Sequence, residues 1–375
     1  MDFDFSDDQE SLRDAVRRWV DKGFSFERRH GIAKAGGATR AVYAELAELG
    51  LTGLAVPEAH GGMAFGAIEA MVVCEELGRG LVNAPYAHGA LVAPTLLSAA
   101  PAAVQAAWLP KIADASALVV LAHQERAARY RLHHVLTRAE PAGSGWTISG
   151  TKSVVPAGDE ADAFIVPARV SGADEDSAGI GLFLVERSAA TVRGYPTQDG
   201  ARAADVVLSK APAALITEDG HAVLEHAADV AIAAQCAEAV GLMDRLVAIT
   251  VEYMNTRKQF GATLASFQAL RHRMADVKMH LELGRSMSYF ASLRLGDASA
   301  QRRLAVSQAR VQLGQSMRFL GQQCIQLHGG IGVTDEYAAS HYFKRLTVIE
   351  MTFGDTMFQL GEVSKLMQDT AGVFA

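Results

Sequence analysis

The chain has 375 residues, 50% of them apolar and 21% charged, with a formal net charge of −7; that length and apolar content suit two or three packed domains rather than one. The acidic balance and the lack of any Lys/Arg-rich run exclude a nucleic-acid footprint, because phosphate backbones are gripped by clustered cations. The acidic start, Asp2 to Asp8, lacks the cationic and apolar segments of a secretory signal, and even the richest apolar stretch, Ala227 to Met243, carries Asp229, Gln235 and Glu238, so neither export nor a membrane span is expected.

The first region reads as helical. Ser6 followed three places on by Gln9 is a capping-box pattern, and Leu12, Val16, Trp19 and Val20 then fall on one face. A second helix carries Val42, Leu46 and Leu49 and stops at Gly50; Gly61-Gly62 breaks the chain, and further helical stretches follow around 66–77, 88–99 and 101–110. From about residue 117 the pattern changes to short β-type runs separated by Gly, Pro and Asp. They begin with Ala117-Leu118-Val119-Val120-Leu121-Ala122 and continue through Trp146–Ser149, Ala163–Val166 and Ile180–Val185.

From about residue 219 the helical period returns in longer segments. Leu242, Leu246, Ile249 and Tyr253 step 4-3-4, as do Leu270, Met274, Val277 and Leu281. Val306, Ala309, Leu313, Met317, Leu320, Cys324 and Leu327 make a stripe about seven turns long, as a helix deep in a bundle requires. The expected domains are 1–115 (helical), 116–218 (β) and 219–375 (helical bundle), an α+β fold that is mainly α. Cys74, Cys236 and Cys324 are an odd number without metal spacing and read as reduced core residues of a cytoplasmic protein. None of the 12 His is paired at a metal-binding spacing, and no G-x-S-x-G elbow is present.

Two clusters set Gly and polar residues at the end of an apolar helix. In Tyr253-Met254-Asn255-Thr256-Arg257-Lys258-Gln259-Phe260-Gly261, leading to Ser266-Phe267-Gln268, simple capping accounts for the pattern: cations at the negative end of a helix, a glycine stop and a serine start. The other is Gln326-Leu327-His328-Gly329-Gly330-Ile331-Gly332-Val333-Thr334, where glycines let backbone amides approach a phosphate or a planar ring. It is not a G-x-G-x-x-G fingerprint, because Asp335 stands where a glycine is needed.

Read together, Arg257-x-Gln259-Phe260-Gly261, Phe267-Gln268, Ala275-Asp276, Gln326-Leu327-His328-Gly329-Gly330-x-Gly332 and Glu336-Tyr337 resemble the signatures of the acyl-CoA dehydrogenase family in order and spacing. Glu75-Glu76-Leu77-Gly78 and Trp146-x-x-x-Gly150-x-Lys152 extend the resemblance over the whole chain. It implies that family's fold: an N-terminal α-domain, a central β-domain and a C-terminal four-helix bundle. It also implies FAD as cofactor, an acyl-CoA thioester as substrate and electron-transfer flavoprotein as acceptor, with no nucleic acid or membrane as partner. The family assembles as a dimer of dimers whose FAD sites are shared between subunits. By resemblance, Arg257 pairs with the pyrophosphate beside Gln259, Phe260 and Gln268, and Gln326, Gly329 and Gly330 meet the adenosine end.

The other half of the pattern departs from the family. Leu121-Ala122-His123-Gln124-Glu125-Arg126 stands in place of an aromatic-x-x-Thr-Glu-Pro segment, and Val154-Val155-Pro156 in place of Trp-Ile-Thr. Phe353, in Thr352-Phe353-Gly354-Asp355, takes the place of the glutamate base, and the alternative base position falls at Ala231. Phenylalanine cannot accept a proton, which leaves Asp355, Glu350 and Asp229 as displaced candidates. The resemblance therefore implies a base-lacking subunit of a heteromeric enzyme, of the kind acting on fatty acyl, steroid side-chain or dicarboxylic substrates. Lys152–Val155, Gly194–Gly200 and Phe343–Leu346 resemble in particular the pimeloyl-CoA dehydrogenase small-subunit branch. The alternatives are a self-sufficient homotetramer with a displaced base, or a non-catalytic member kept for binding or assembly.

Overall fold

A computed structural model describes residues 5–143 and 145–367. Helices occupy the chain to Ala113, strands run from Val119 to Thr217, and helices resume at His221. By internal contacts the described chain forms two compact units, one of residues 5–30, 67–82 and 232–367 and the other of 31–66 and 83–231.

The first unit holds α1 (Asp7–Gly23), α4 (Ala67–Arg79), α8 (Gln268–Leu293), α9 (Ser299–His328), α10 (Ala338–Glu350), α11 (Thr356–Met367) and, from Ile232 on, α7 (His221–Thr256). The capping box is present at α1: the Ser6 hydroxyl accepts the Gln9 amide hydrogen and the Gln9 side chain accepts that of Ser6, while Val16 and Val20 are buried. The α9 stripe is buried from Val306 to Leu327, and α8, α10 and α11 all pack along this helix. Reciprocal glycines bring α4 and α7 close. A Cβ on Gly78 would meet the Glu238 carbonyl oxygen at 2.1 Å, and one on Gly241 would meet that of Glu75 at 1.8 Å. All three cysteines are free and buried, which raises their thiols' pKa values.

In the second unit, α3 (Arg40–Glu48), α5 (Ala93–Leu97) and α6 (Ala102–Ala113) accompany a barrel-like sheet, and α2 (Phe26–Lys34) enters this unit at Gly31. Gly50 ends the α3 region in a left-handed conformation, as expected, but Leu49 is exposed rather than on the packed face. The helix expected at 88–99 is a π-helical turn, Ala87–Val92, followed by short α5. Pro94 has no N–H to donate, so a regular α-helical ladder cannot pass through it.

The strands are β1 (Val119–Leu121), β2 (Arg138–Ala142), β3 (Gly145–Pro156), β4 (Ala163–Arg169), β5 (Ile180–Glu186), β6 (Thr191–Pro196) and β7 (Arg202–Thr217). Antiparallel pairs β2–β3, β3–β7, β7–β5 and β5–β4 run round to a parallel bridge between Arg138 of β2 and Arg169 of β4, closing the sheet on itself. Every residue of β4 is buried, and Ile148, Phe164, Val166, Phe183, Val185 and Val206 fill the interior. At the β3 bulge the chain leaves register between Lys152 and Val155, and Val154 adopts φ +53°.

Candidate functional site

The first unit carries a cleft of about 750 Å³ where the end of α7, the start of α8 and the end of α9 meet. Of the residues singled out by sequence, Arg257, Gln259, Gln326, Gly329 and Gly330 line it, so the structure joins two clusters nearly 70 residues apart in sequence. Tyr253, Leu264, Leu270, Leu327 and Ile331 add an apolar wall. No aspartate or glutamate is among the lining residues. Glycine matters here: Gly329 has φ +63°, and a Cβ on Gly330 would project into open space.

Phe260 and Gln268 do not line the cleft. Gln268 opens α8 and is exposed. Phe260 sits at the tip of a small hairpin, β8 (Lys258–Gln259) with β9 (Ala262–Thr263). Its φ of +54° and the +77° of Gly261 are the two left-handed residues that a I′ turn needs. The Phe260 ring is 93% exposed, with its centroid 6.4 Å from that of Phe267. A bulky residue pays about 1–2 kcal/mol for this conformation, and an isolated hairpin gives it no apolar shelter in return.

Beside the cleft lies an aromatic stack whose members the sequence motifs contain without assigning them a role. His328, 3% exposed, lies with its ring centroid 4.7 Å from that of Tyr253 and 5.1 Å from that of Tyr337. Its Nδ1 donates to the Cys324 carbonyl at 2.8 Å, which fixes the tautomer, and Nε2 has no partner among the described residues. Burial lowers the imidazole pKa, so the ring is neutral near pH 7.

The catalytic candidates sit differently. Phe353 is buried at φ +55°, in a turn held from two sides. Buried Arg310 donates to the carbonyls of Ile349, Thr352 and Gly354, and the Gln359 amide donates to that of Phe353 at 2.9 Å. Glu350 pairs with Arg318 at 3.2 Å and accepts the Thr356 hydroxyl at 2.8 Å. Asp355 accepts the Phe358 amide at 2.8 Å, an N-cap contact for α11. Asp229, in the second unit, is fully buried and engaged, and Ala231 is buried and inert.

In the second unit the segment expected at the flavin ring follows β1. Burial, with the Lys152 ammonium and His88 adding to it, lowers the His123 pKa to about 3. Burial alone would raise the Glu125 pKa, but Lys152 at 2.7 Å and the Thr137 and Leu136 donors outweigh it and the net shift is downward. Val154 is 47% exposed, its N–H donating to Asp205 at 3.3 Å, whereas Val155 faces the core.

His30, Asp335 and His341 bring one potential ligand atom each to within 4.8 Å of one another. Arg29 donates to His341 Nδ1, and His341 Nε2 meets the Asp335 carbonyl at 2.8 Å. A cation bound there would face the Arg29 guanidinium, so the cluster fits a hydrogen-bonded tie better than a metal site.

Helices, a closed small sheet and helices again, with an acid-free cationic cleft on the last helical region, define a protein of the acyl-CoA dehydrogenase fold. The ChsE4-ChsE5 complex from Mycobacterium tuberculosis superposes with a TM-score of 0.89 at 24% identity, covering 99% of this chain and 100% of that one. A variant of the steroid ACAD Tcur3481-Tcur3483 superposes with a TM-score of 0.87 at 28% identity, covering 97% and 98%. Residues 6–116 match the model of the acyl-CoA dehydrogenase N-terminal domain, and residues 218–367 that of its C-terminal domain. Acyl-CoA dehydrogenase IpdE2 of Mycobacterium tuberculosis strain H37Rv is 30% identical over 299 residues, 80% of this chain and 77% of that protein. The chain belongs to the acyl-CoA dehydrogenase family.

Proposed function

We propose that this chain is the subunit of a heteromeric, FAD-dependent acyl-CoA dehydrogenase that lends a nucleotide half-site to a homologous, base-bearing partner. The observation that carries the reading is a contrast within one helical unit. Arg257 lines an acid-free cleft and has no carboxylate partner among the described residues, whereas Phe353 fills the family's base position and its acidic neighbours are engaged, Glu350 by Arg318 and Thr356 and Asp355 by the first turn of α11. FAD, when bound, accepts the β-hydrogen of the acyl thioester as hydride.

The residues present fit the nucleotide end of that group. Arg257 offers a planar fork for pyrophosphate oxygens, Gln259 and Gln326 offer amides, and Gly329 and Gly330 leave room for close backbone approach. Phe260, exposed on its strained turn, and Gln268, at the start of α8, suit contact with a neighbouring subunit. The ring end fits poorly. Val154, Val155 and Pro156 supply no hydroxyl, and proline supplies no backbone donor.

The substrate in this reading is a fatty acyl, steroid side-chain or dicarboxylic acyl-CoA, in line with the steroid ACAD at 28% identity. The acceptor is an electron-transfer flavoprotein, the location cytoplasmic, and the domain division 1–115, 116–218 and 219–375. Among the described residues no helix is long and apolar enough to cross a membrane.

The test is to purify the chain alone and together with a homologous dehydrogenase subunit encoded beside it, then to record flavin absorbance and acyl-CoA oxidation. Flavin and turnover only in the mixture are expected. Yellow, active protein from the chain alone would establish the homotetramer instead, and no flavin in either preparation would establish the non-catalytic reading.

A further inference from the structure

The cleft contains a second guanidinium, which no sequence motif singled out. Arg273 lies in the second turn of α8 and lines the same space as Arg257, which follows the end of α7. Neither has an ion-pair partner among the described residues. Elsewhere in this unit Arg17, Arg79, Arg285 and Arg345 each contact a carboxylate. In a chain of net charge −7, a cleft with two uncompensated guanidinium groups and no acid is an anion site by composition. The amides of Gln259 and Gln326 and the apolar wall of Leu264, Leu270 and Ile331 make it amphiphilic, which suits an anion joined to a nucleoside.

The number of cations bears on the type of anion. One fork satisfies a single phosphate, whereas a pyrophosphate bridge spreads one negative charge over each of two adjacent phosphates. We propose that Arg273 is the second cation of this cleft, gripping the diphosphate of a nucleotide together with Arg257, so that the cleft selects a nucleoside diphosphate over a monophosphate. The inference rests on the reading of the cleft as a nucleotide half-site and adds to it a residue and a specificity.

ADP-ribose and AMP separate the two claims, since each carries about two negative charges at pH 8 but only the former has a pyrophosphate bridge. Calorimetric titration of the full chain with each, for the unaltered protein, Arg257→Met, Arg273→Met and Arg273→Lys, reads binding without any turnover. Tighter binding of ADP-ribose than AMP is expected, with Arg273→Met lowering ADP-ribose affinity about tenfold and leaving AMP nearly unchanged. Arg273→Lys should recover only part of the loss, because an ammonium lacks the fork. Flavin retained by the chain co-purified with its partner should fall in the same order. Arg273 is exposed, so its variants keep the fold. If Arg257→Met abolishes binding and Arg273→Met changes nothing, this inference is overturned while the half-site reading stands. If the unaltered chain binds neither nucleotide, or Arg257→Met has no effect, both fall.

Discussion

Two parts of the same helical unit treat charge in opposite ways. At the cleft, Arg257 and Arg273 stand without counter-charges among the described residues, glycine keeps the walls low, and a neutral His328 lies beside them. At the turn after α10, each acidic side chain already serves the fold: Glu350 with Arg318 and Thr356, Asp355 with the first turn of α11. Uncommitted groups are available to a ligand, whereas committed ones mainly stabilise. The comparison therefore predicts that substitutions at the cleft change binding and leave stability alone, while substitutions at the turn do the reverse.

The largest effect is expected at Arg310. Replacing it with Met takes a charged donor from the Thr352 carbonyl and leaves the Ile349 carbonyl only backbone amides such as that of Thr352, and should cost about 3 kcal/mol in urea denaturation. A change below 1 kcal/mol would mean that the turn is held by something else. Arg257→Ala should lower FAD retention in the assembled enzyme by about tenfold or more while moving the denaturation midpoint little. A large loss of stability with unchanged flavin would erase the contrast.

Acid tests the second unit in the same terms. The His123 pKa is about 3 in the fold against about 6.5 in an unfolded chain. Its contribution is present above pH 6.5 and is lost as pH falls toward the folded value, roughly 2 kcal/mol between pH 7 and 5. His123→Gln should flatten that part of the stability profile, and an unaltered slope would assign it elsewhere.

Asp355→Ala removes an N-cap and should cost about 1 kcal/mol. Turnover per folded molecule of the assembled enzyme should not change; a collapse in turnover would identify Asp355 as a displaced base. The smallest expected effect is at Phe260. Phe260→Asn fits the left-handed turn better and should raise stability by up to about 1 kcal/mol while weakening flavin retention. A substitution that stabilises the chain and impairs the site is what a residue kept for a ligand should give.

Much of this was legible from sequence. The Ser6–Gln9 box, the Val306–Leu327 stripe and the glycines at 329 and 330 are local patterns whose period or spacing states their physics. Arg273 was not legible, because a cation on an exposed helix face has no periodic signature and gains meaning only when α7 and α9 deliver their ends beside it. Long-range pairing was hidden in the same way: nothing local predicts that β1 runs parallel to β4, or that Arg138 bridges to Arg169. The left-handed backbone at Phe353 and Val154 runs against residue preference, so propensity reasoning points away from it. Leu49 shows the converse, a residue with the right spacing that the short α3 leaves in solvent.

The closed sheet also bears on how such a chain avoids aggregation. Open sheets aggregate through unsatisfied borders, and here the borders are few and poor templates. β1 is three residues long, and β6, paired only with β7, carries Arg193 and Gly194 and ends at Pro196. Self-association through strand addition is thereby discouraged, and the backbone of the sheet keeps its hydrogen bonds within the chain.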